Sequence, residues 1–220
     1  MKLIDKLLNV LFPDKLVCDS CGREAVVQEN GLCIECCIGT EVFNAAPALE
    51  FVDGFTAAYI YNDVSGRMVK RLKYNGAKYL ARPLAEAVKL PEDWHIDAVV
   101  PVPLYYRREA KRGYNQSELI ARHIAQINEL KLDPSLLVRT HDTKQQARMS
   151  EAGRRRNVKD AFLADEGCKG LDILLVDDVR TTGSTLRECA KELKRCGCGK
   201  VYAAAVCFAD KNKGGAHDGV

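Results

Sequence analysis

Asp177 and Asp178 stand side by side at the end of an apolar run, and Thr181, Thr182, Gly183, Ser184 and Thr185 follow within the next few residues. A strand that passes through small hydroxylated residues into a helix offers hydroxyls and unpaired backbone N–H groups at a helix N-terminus, which together make a phosphate cradle. Gly183 permits close approach or an unusual dihedral angle. Two carboxylates would repel a phosphate set directly on them. They must therefore address another part of the same ligand, such as sugar hydroxyls or a Mg²⁺ ion. A phosphate at one end and vicinal hydroxyls a few ångströms away describe a sugar phosphate, and ribose 5-phosphate fits. The alternative is a helix capped by Ser184 or Thr182 behind a solvated Asp-Asp turn. The combination of Asp, Thr, Gly and Ser residues packed between 177 and 185 argues against it.

A second cluster of reactive side chains lies near the N-terminus. "CDSC" and "CIEC" are two C-x2-C knuckles separated by eleven residues, with Gly22 after the first and Gly31 before the second. Cys18, Cys21, Cys33 and Cys36 supply four thiolates for a tetrahedral ion, and small residues allow the tight turns beneath it. Zinc is the expected metal, with an iron–sulfur site as the alternative. Cys37 competes with Cys36 for the fourth position, and the knuckle spacing favours Cys36. A closed four-sulfur site leaves no open position, so its role is structural. The other five cysteines, Cys168, Cys189, Cys196, Cys198 and Cys207, are scattered and are expected to be reduced and partly buried.

The elements that must position these groups can be read from periodicity. The chain has 220 residues, is 47% hydrophobic and carries a net charge of +3, an ordinary globular composition in which global charge decides little. No run of about 18 apolar residues occurs, so no membrane span is expected. "MKLIDKLLNVLF" puts Leu3, Ile4, Leu7, Leu8, Leu11 and Phe12 on one helical face, with Asp5 and Lys6 interrupting any signal-peptide core. Strands are predicted over 55–63, 97–103, 136–140, 171–179 and 200–208, and helices over 64–74, 78–90, 116–130 and 184–196. Strands apolar on both faces, alternating with helices, predict an α/β fold with a parallel sheet covered on both sides. The expected division is an amphipathic N-terminal helix (1–17), a four-cysteine zinc finger (18–45), an α/β domain (46–209) and a mobile tail (210–220). His95, His123, His141 and His217 form no constellation, and His123 falls within a predicted helix.

Val176 to Thr185 resembles the phosphoribosyl-pyrophosphate (PRPP) motif of type I phosphoribosyltransferases. The chain as a whole resembles the ComF family (ComFC/GntX-like), in which a four-cysteine zinc finger precedes a phosphoribosyltransferase domain. The stretches that carry the resemblance are the two knuckles, "RLKYNG" (71–76), "PVPL" (101–104), "KRGYNQSELIA" (111–121), "RRRNVKDAF" (154–162) and "LLVDDVRTTGSTL" (174–186).

The resemblance implies a type I phosphoribosyltransferase-like sheet. Asp177 and Asp178 would hold the ribose, and Thr181 to Thr185 the 5′-phosphate. Arg107, Arg108, Lys111 and Arg112 would form a pyrophosphate loop, their four cations suiting a diphosphate. Gln145, Gln146, Arg154, Arg155 and Arg156 would sit on a flexible lid, which the lack of periodicity over 141–158 supports independently. It further implies Mg²⁺ with PRPP, a cytoplasmic setting, and a part in natural transformation with single-stranded DNA, a partner helicase and other DNA-processing proteins. Some purine-salvage relatives carry an acid where this chain has Thr181, so no general base is identified. Two functions follow: phosphoribosyl transfer to an unknown acceptor, or a non-catalytic PRPP-sensing adaptor. Tyr105, Tyr106 and Tyr114 interleave with basic residues, as a stacking platform for single-stranded nucleic acid would or as half-buried packing would.

Overall fold

The computed structural model describes residues 16–140 and 161–209. The expected N-terminal helix, the lid and the tail lie outside them, apart from the segment joining the first knuckle. Four parallel strands form the central sheet: β1 (Gly54–Ile60), β2 (Ala98–Pro101), β5 (Ile173–Arg180) and β6 (Val201–Phe208), in the order β1-β6-β5-β2. The register pairs Val100 with Leu175 and Leu175 with Ala203. Helices cover both faces, as continuously apolar strands require. On one side α2 (Asp63–Tyr74), α3 (Ala81–Ala87) and α5 (Gln116–Ile127) pack Leu72, Leu84, Ile120 and Ile124 against Leu174, Val176 and Ala204. On the other, α6 (Ser184–Cys196) sets Leu186 and Leu193 against Ile173, Leu175 and Ala203.

Three features depart from the expected elements. The helix predicted over 78–90 is a 3₁₀ turn (Lys78–Leu80) followed by α3. Pro83 explains the break, because it has no N–H to donate and its ring crowds the carbonyl four residues back. The cationic segment after β2 is not a loop but a short helix, α4 (Tyr106–Arg112), closed by Gly113 at φ 84°. Arg, Lys, Glu and Ala are good helix formers, and glycine is the natural left-handed stop. A separate antiparallel ladder joins β3 (Leu137–Arg139), which was expected, to β4 (Phe162–Ala164), which was not. Three residues are too few to show a period.

The cysteine module has almost no core of its own and docks on α2. Its one helix, α1 (Ile34–Ile38), is five residues long. Gly22 and Gly31 take φ of 74° and 76° at the knuckle turns, which L side chains resist. Ser20 Oγ donates to the Val64 carbonyl at 2.9 Å, and Arg67 Nε to Ser20 Oγ at 3.2 Å. Arg71 Nη1 donates to the carbonyls of Asp19 at 2.7 Å and Cys18 at 3.2 Å. Asn62 starts the helix with a capping box, its side chain accepting from Val64 and Ser65 N–H while Ser65 Oγ accepts from its backbone. Asn62 Nδ2 also donates to the Gly39 carbonyl at 2.9 Å. Asn62→Ala is expected to lose about 1–2 kcal/mol of stability, read as a lower urea midpoint at unchanged slope.

Candidate active site

The carboxyl ends of the parallel strands gather the residues whose chemistry the sequence singled out. Asp177 and Asp178 lie in the C-terminal half of β5, two residues before its end, and face different helices. Asp177 Oδ1 accepts from Ser117 Oγ and from the Asp178 N–H, both at 2.9 Å. Asp178, buried, pairs with Lys73 Nζ at 3.0 Å, a lysine whose side chain is itself only 15% exposed. Burial opposes the charge on Lys73, but the Asp178 carboxylate more than offsets it and the lysine pKa is raised. Among the described residues, no cation forms an ion pair with Asp177. Burial first, and then the Asp178 charge, push its carboxyl up to about 7.

Ser117 and Lys73 were not read from the sequence as site residues. Both lie in stretches that carried the family resemblance or adjoin it, yet neither has a local pattern that marks it. Their role arises from packing alone. The "RGYNQ" stretch turns out to be the joint that sets Ser117. Gly113 ends α4, the Tyr114 hydroxyl donates to the Leu72 carbonyl, Asn115 caps α5 by accepting from Ser117 N–H, and Gln116 accepts from Arg112. Asn115 Nδ2 also ties this joint to the Val102 carbonyl beyond β2, at 3.1 Å.

Thr181 to Thr185 form the turn from β5 into α6. Gly183 is the N-cap at φ 75°, and no side chain caps the helix from that position. Thr182 Oγ1 lies 2.7 Å from Ser184 Oγ and accepts from Ser184 N–H at 3.3 Å. The hydroxyls thus line the turn, and the first-turn amides that have no intrahelical acceptor are available to an anion.

The expected diphosphate cations also converge. Arg108, Lys111 and Arg112 line a cavity of about 440 Å³ together with Lys73, Tyr74, Gly76 and Tyr114. Arg107 lies on the same short helix but is not among its lining residues; its Nε donates to the Tyr106 hydroxyl at 3.1 Å. Lys73 therefore joins the carboxylate pair to the cationic cavity. Of the tyrosines weighed as stacking groups, Tyr114 is packing, with its hydroxyl satisfied inside, whereas Tyr106 is 60% exposed. Tyr74 and Tyr79 are also exposed, a feature the sequence did not single out. Gln146, Arg154, Arg155 and Arg156 fall outside the described residues.

At the other end of α2, the sulfur atoms of Cys18, Cys21, Cys33 and Cys36 lie within 4.8 Å of one another. Cys37 stands apart and accepts from Asn30 Nδ2. The Cys33 N–H and Arg67 Nη2 point at the sulfurs of Cys18 and Cys36. A hydrogen bond from Arg23 draws the Cys21 thiol down to about 6, while burial pushes Cys36 to about 11.

Comparison with known proteins agrees with this geometry. A family model described as phosphoribosyl transferase domain matches residues 76–219. The chain belongs to that family. "DNA utilization protein YhgH" of Escherichia coli O157:H7 is 38% identical over 111 residues, covering 50% of this chain and 49% of that protein. "Competence protein F" of Haemophilus influenzae is 32% identical over 146 residues, 59% of this chain and 62% of that protein. "Competence protein ComFC" of Bacillus subtilis is 27% identical over 219 residues, 91% of this chain and 85% of that protein. The chain thus spans about half the length of the first of these relatives. The resemblance to the ComF family and the α/β phosphoribosyltransferase fold it implied are borne out. Among the described residues, no helix is long and apolar enough to cross a membrane.

The Asp177 shift sets a pH dependence. A raised carboxyl pKa means that the folded state holds the extra proton between the unfolded value and about 7. Stability therefore falls as pH rises through that window. Asp177→Asn is expected to raise the melting temperature at pH 8 by about 2–6 °C, and the gain should vanish by pH 4. Thermal melts at both pH values check it.

Proposed function

We propose that this protein binds PRPP with Mg²⁺ and transfers its phosphoribosyl group to an acceptor, in the service of DNA uptake. The observation that carries the reading is spatial separation of charge. Two carboxylates, one neutralised by Lys73, sit between an anion cradle at the start of α6 and a cavity lined by Arg108, Lys111 and Arg112. PRPP has the same order: a 5′-phosphate, a ring with two hydroxyls, and a diphosphate. The hydroxyl and amide groups of Thr181 to Thr185 would receive the phosphate. Asp177 and Asp178 would accept hydrogen bonds from the ribose hydroxyls and fix the ring.

Mg²⁺ would offset charge on the diphosphate and help it depart. Arg108, Lys111, Arg112 and Lys73 would stabilise the same negative charge as the bond to C1 lengthens. Asp177 and Asp178 would lie beside a ring that gains positive character. A lid from Gln146 and Arg154 to Arg156, closing over the site, would exclude water during the step.

The relatives named for competence and DNA utilisation support a setting in DNA uptake, with single-stranded DNA, a helicase and other DNA-processing proteins as partners. A second reading draws on the exposed Tyr74, Tyr79 and Tyr106 beside the cations of α4. In it the pocket senses PRPP without turning it over, and this face binds single-stranded DNA by stacking and charge.

Calorimetric titration of PRPP with Mg²⁺ tests the pocket that both readings share, and release of pyrophosphate on adding a nucleobase or amine acceptor separates turnover from sensing. Asp177→Asn with Asp178→Asn is expected to weaken binding by about 100-fold or more, since two charged acceptors are lost. Single-stranded DNA held on the outer face would be unaffected by the same change. Wild-type protein that is folded and does not bind PRPP would refute both readings.

For the cysteine module we propose a structural zinc ion on Cys18, Cys21, Cys33 and Cys36. The four thiols enclose one point, and the amide and guanidinium donors around them would stabilise thiolates. Metal analysis is expected to find one equivalent of zinc, lost in Cys36→Ser and retained in Cys37→Ser.

A further inference from the structure

Arg180 is the one feature of the phosphate turn that neither the motif nor the site described above uses. It ends β5, one residue before Thr181, and only 4% of it is exposed. Its guanidinium lies over the Phe55 ring at 4.4 Å and the Phe208 ring at 5.3 Å. Nη2 donates to the Pro47 carbonyl at 2.6 Å. Among the described residues, Nε and Nη1 have no hydrogen-bond partner. Burial alone lowers its pKa, and among the described residues no carboxylate forms an ion pair with it. A buried cation is normally paired, because desolvation without a counter-charge is costly. The aromatic faces and one carbonyl supply part of that compensation.

The place of this unneutralised charge gives it meaning. A Cβ built on Gly183 would lie 3.4 Å from Arg180 Nε, so the guanidinium is packed against the N-cap of α6. Arg180 lines the recess formed by residues 177–186. The same recess offers the Thr182 and Ser184 hydroxyls and the first-turn amides. The segment that leads from the cysteine module into β1 covers the outer side of this arrangement. Leu49 lies against Gly183, Pro47 takes the Arg180 hydrogen bond, and Glu50 reaches Arg187 at 3.7 Å.

We propose that Arg180 is a phosphate-recognition residue: its buried guanidinium supplies, from behind the Thr181–Thr185 turn, the counter-charge for a dianionic phosphate seated at the start of α6. The inference rests on the PRPP reading and adds to it a cation that the motif's hydroxyls and amides do not provide. The segment around Pro47 and Leu49 holds that cation in place. A neutral side chain of similar size would keep the packing on Phe55 and Phe208 but not the charge.

The test uses full-length protein and two ligands, ribose 5-phosphate and inorganic pyrophosphate, in calorimetric titrations with Mg²⁺. Arg180→Met is expected to weaken ribose 5-phosphate by about ten-fold and to leave pyrophosphate, which belongs on the α4 cations, within about two-fold of wild type. Arg180→Lys is expected to stay within about three-fold for both. Arg180→Met that binds ribose 5-phosphate as wild type does would overturn the proposal. So would a folded Arg180→Lys that loses ten-fold, since that marks a role of shape rather than charge. If Arg180→Met does not fold, the lysine variant decides alone. Wild type that fails to bind ribose 5-phosphate overturns the underlying PRPP reading, and this inference with it.

Discussion

Two adjacent carboxylates at the end of a buried strand are a constraint that everything around them must answer. Neighbouring Asp residues at about this spacing repel, and the apolar sheet denies them the screening that water gives. The fold resolves the problem asymmetrically. Asp178 turns toward α2 and meets Lys73 at 3.0 Å. Asp177 turns toward α5 and receives only neutral donors, Ser117 Oγ and the Asp178 amide. One carboxylate is thus paired with a cation, and the other is poised to gain or lose a proton near neutrality. A packed hydrophobic pair would be more stable at this place. Charge kept here at such a cost supports the proposal of a ligand site at this strand end.

Helix α2 carries the consequence across the molecule. It begins at Asn62, beyond β1, and reaches Asp178 at the end of β5 with Lys73 in its last turn. Along the way Arg67 and Arg71 grip the cysteine module through Ser20 and the carbonyls of Cys18 and Asp19. The module buries little apolar surface of its own, so this helix, together with the zinc ion proposed for its four cysteines, would have to order it. The same helix therefore serves as a seat for the module and as the source of the cation that tames Asp178. A disturbance at the knuckles would reach the carboxylates through about two turns of helix.

The parts legible in the sequence are those that depend on local pattern. Strands such as Ile173–Arg180 and Val201–Phe208 are apolar on both faces and need no tertiary information to be recognised. The turn from Asp177 to Thr185 and the paired knuckles are dense in residue types that have few other uses at such spacing. What was not legible depends on contacts made far along the chain. Lys73 meets a residue more than a hundred positions away, and nothing in "RLKYNG" separates it from a solvated lysine. The cationic segment at 107–112 was expected as a loop from the family resemblance, although its composition favours the helix it forms. Arg180 carries no local pattern that marks it, and only its aromatic bed and the Pro47 carbonyl show it to be buried.

The distribution of charge around the strand ends argues for one extended ligand rather than several independent sites. Cations lie on both flanks, Arg180 behind the α6 turn and Arg108, Lys111 and Arg112 around the cavity by α4, with the carboxylates between them. A polyanion of uniform charge density, such as a nucleic acid backbone, would meet repulsion at the centre of this pattern. A ligand with anionic ends and a neutral, hydroxylated middle would not. Lys73 makes the pattern tolerant, because its pairing with Asp178 offsets part of the negative charge at the place where a ligand's ring would be held. On the proposed reading Lys73 would offset the negative charge that leaves with the diphosphate and the two carboxylates the positive charge that gathers on the ring, so separating Lys73 from Asp178 would disturb both.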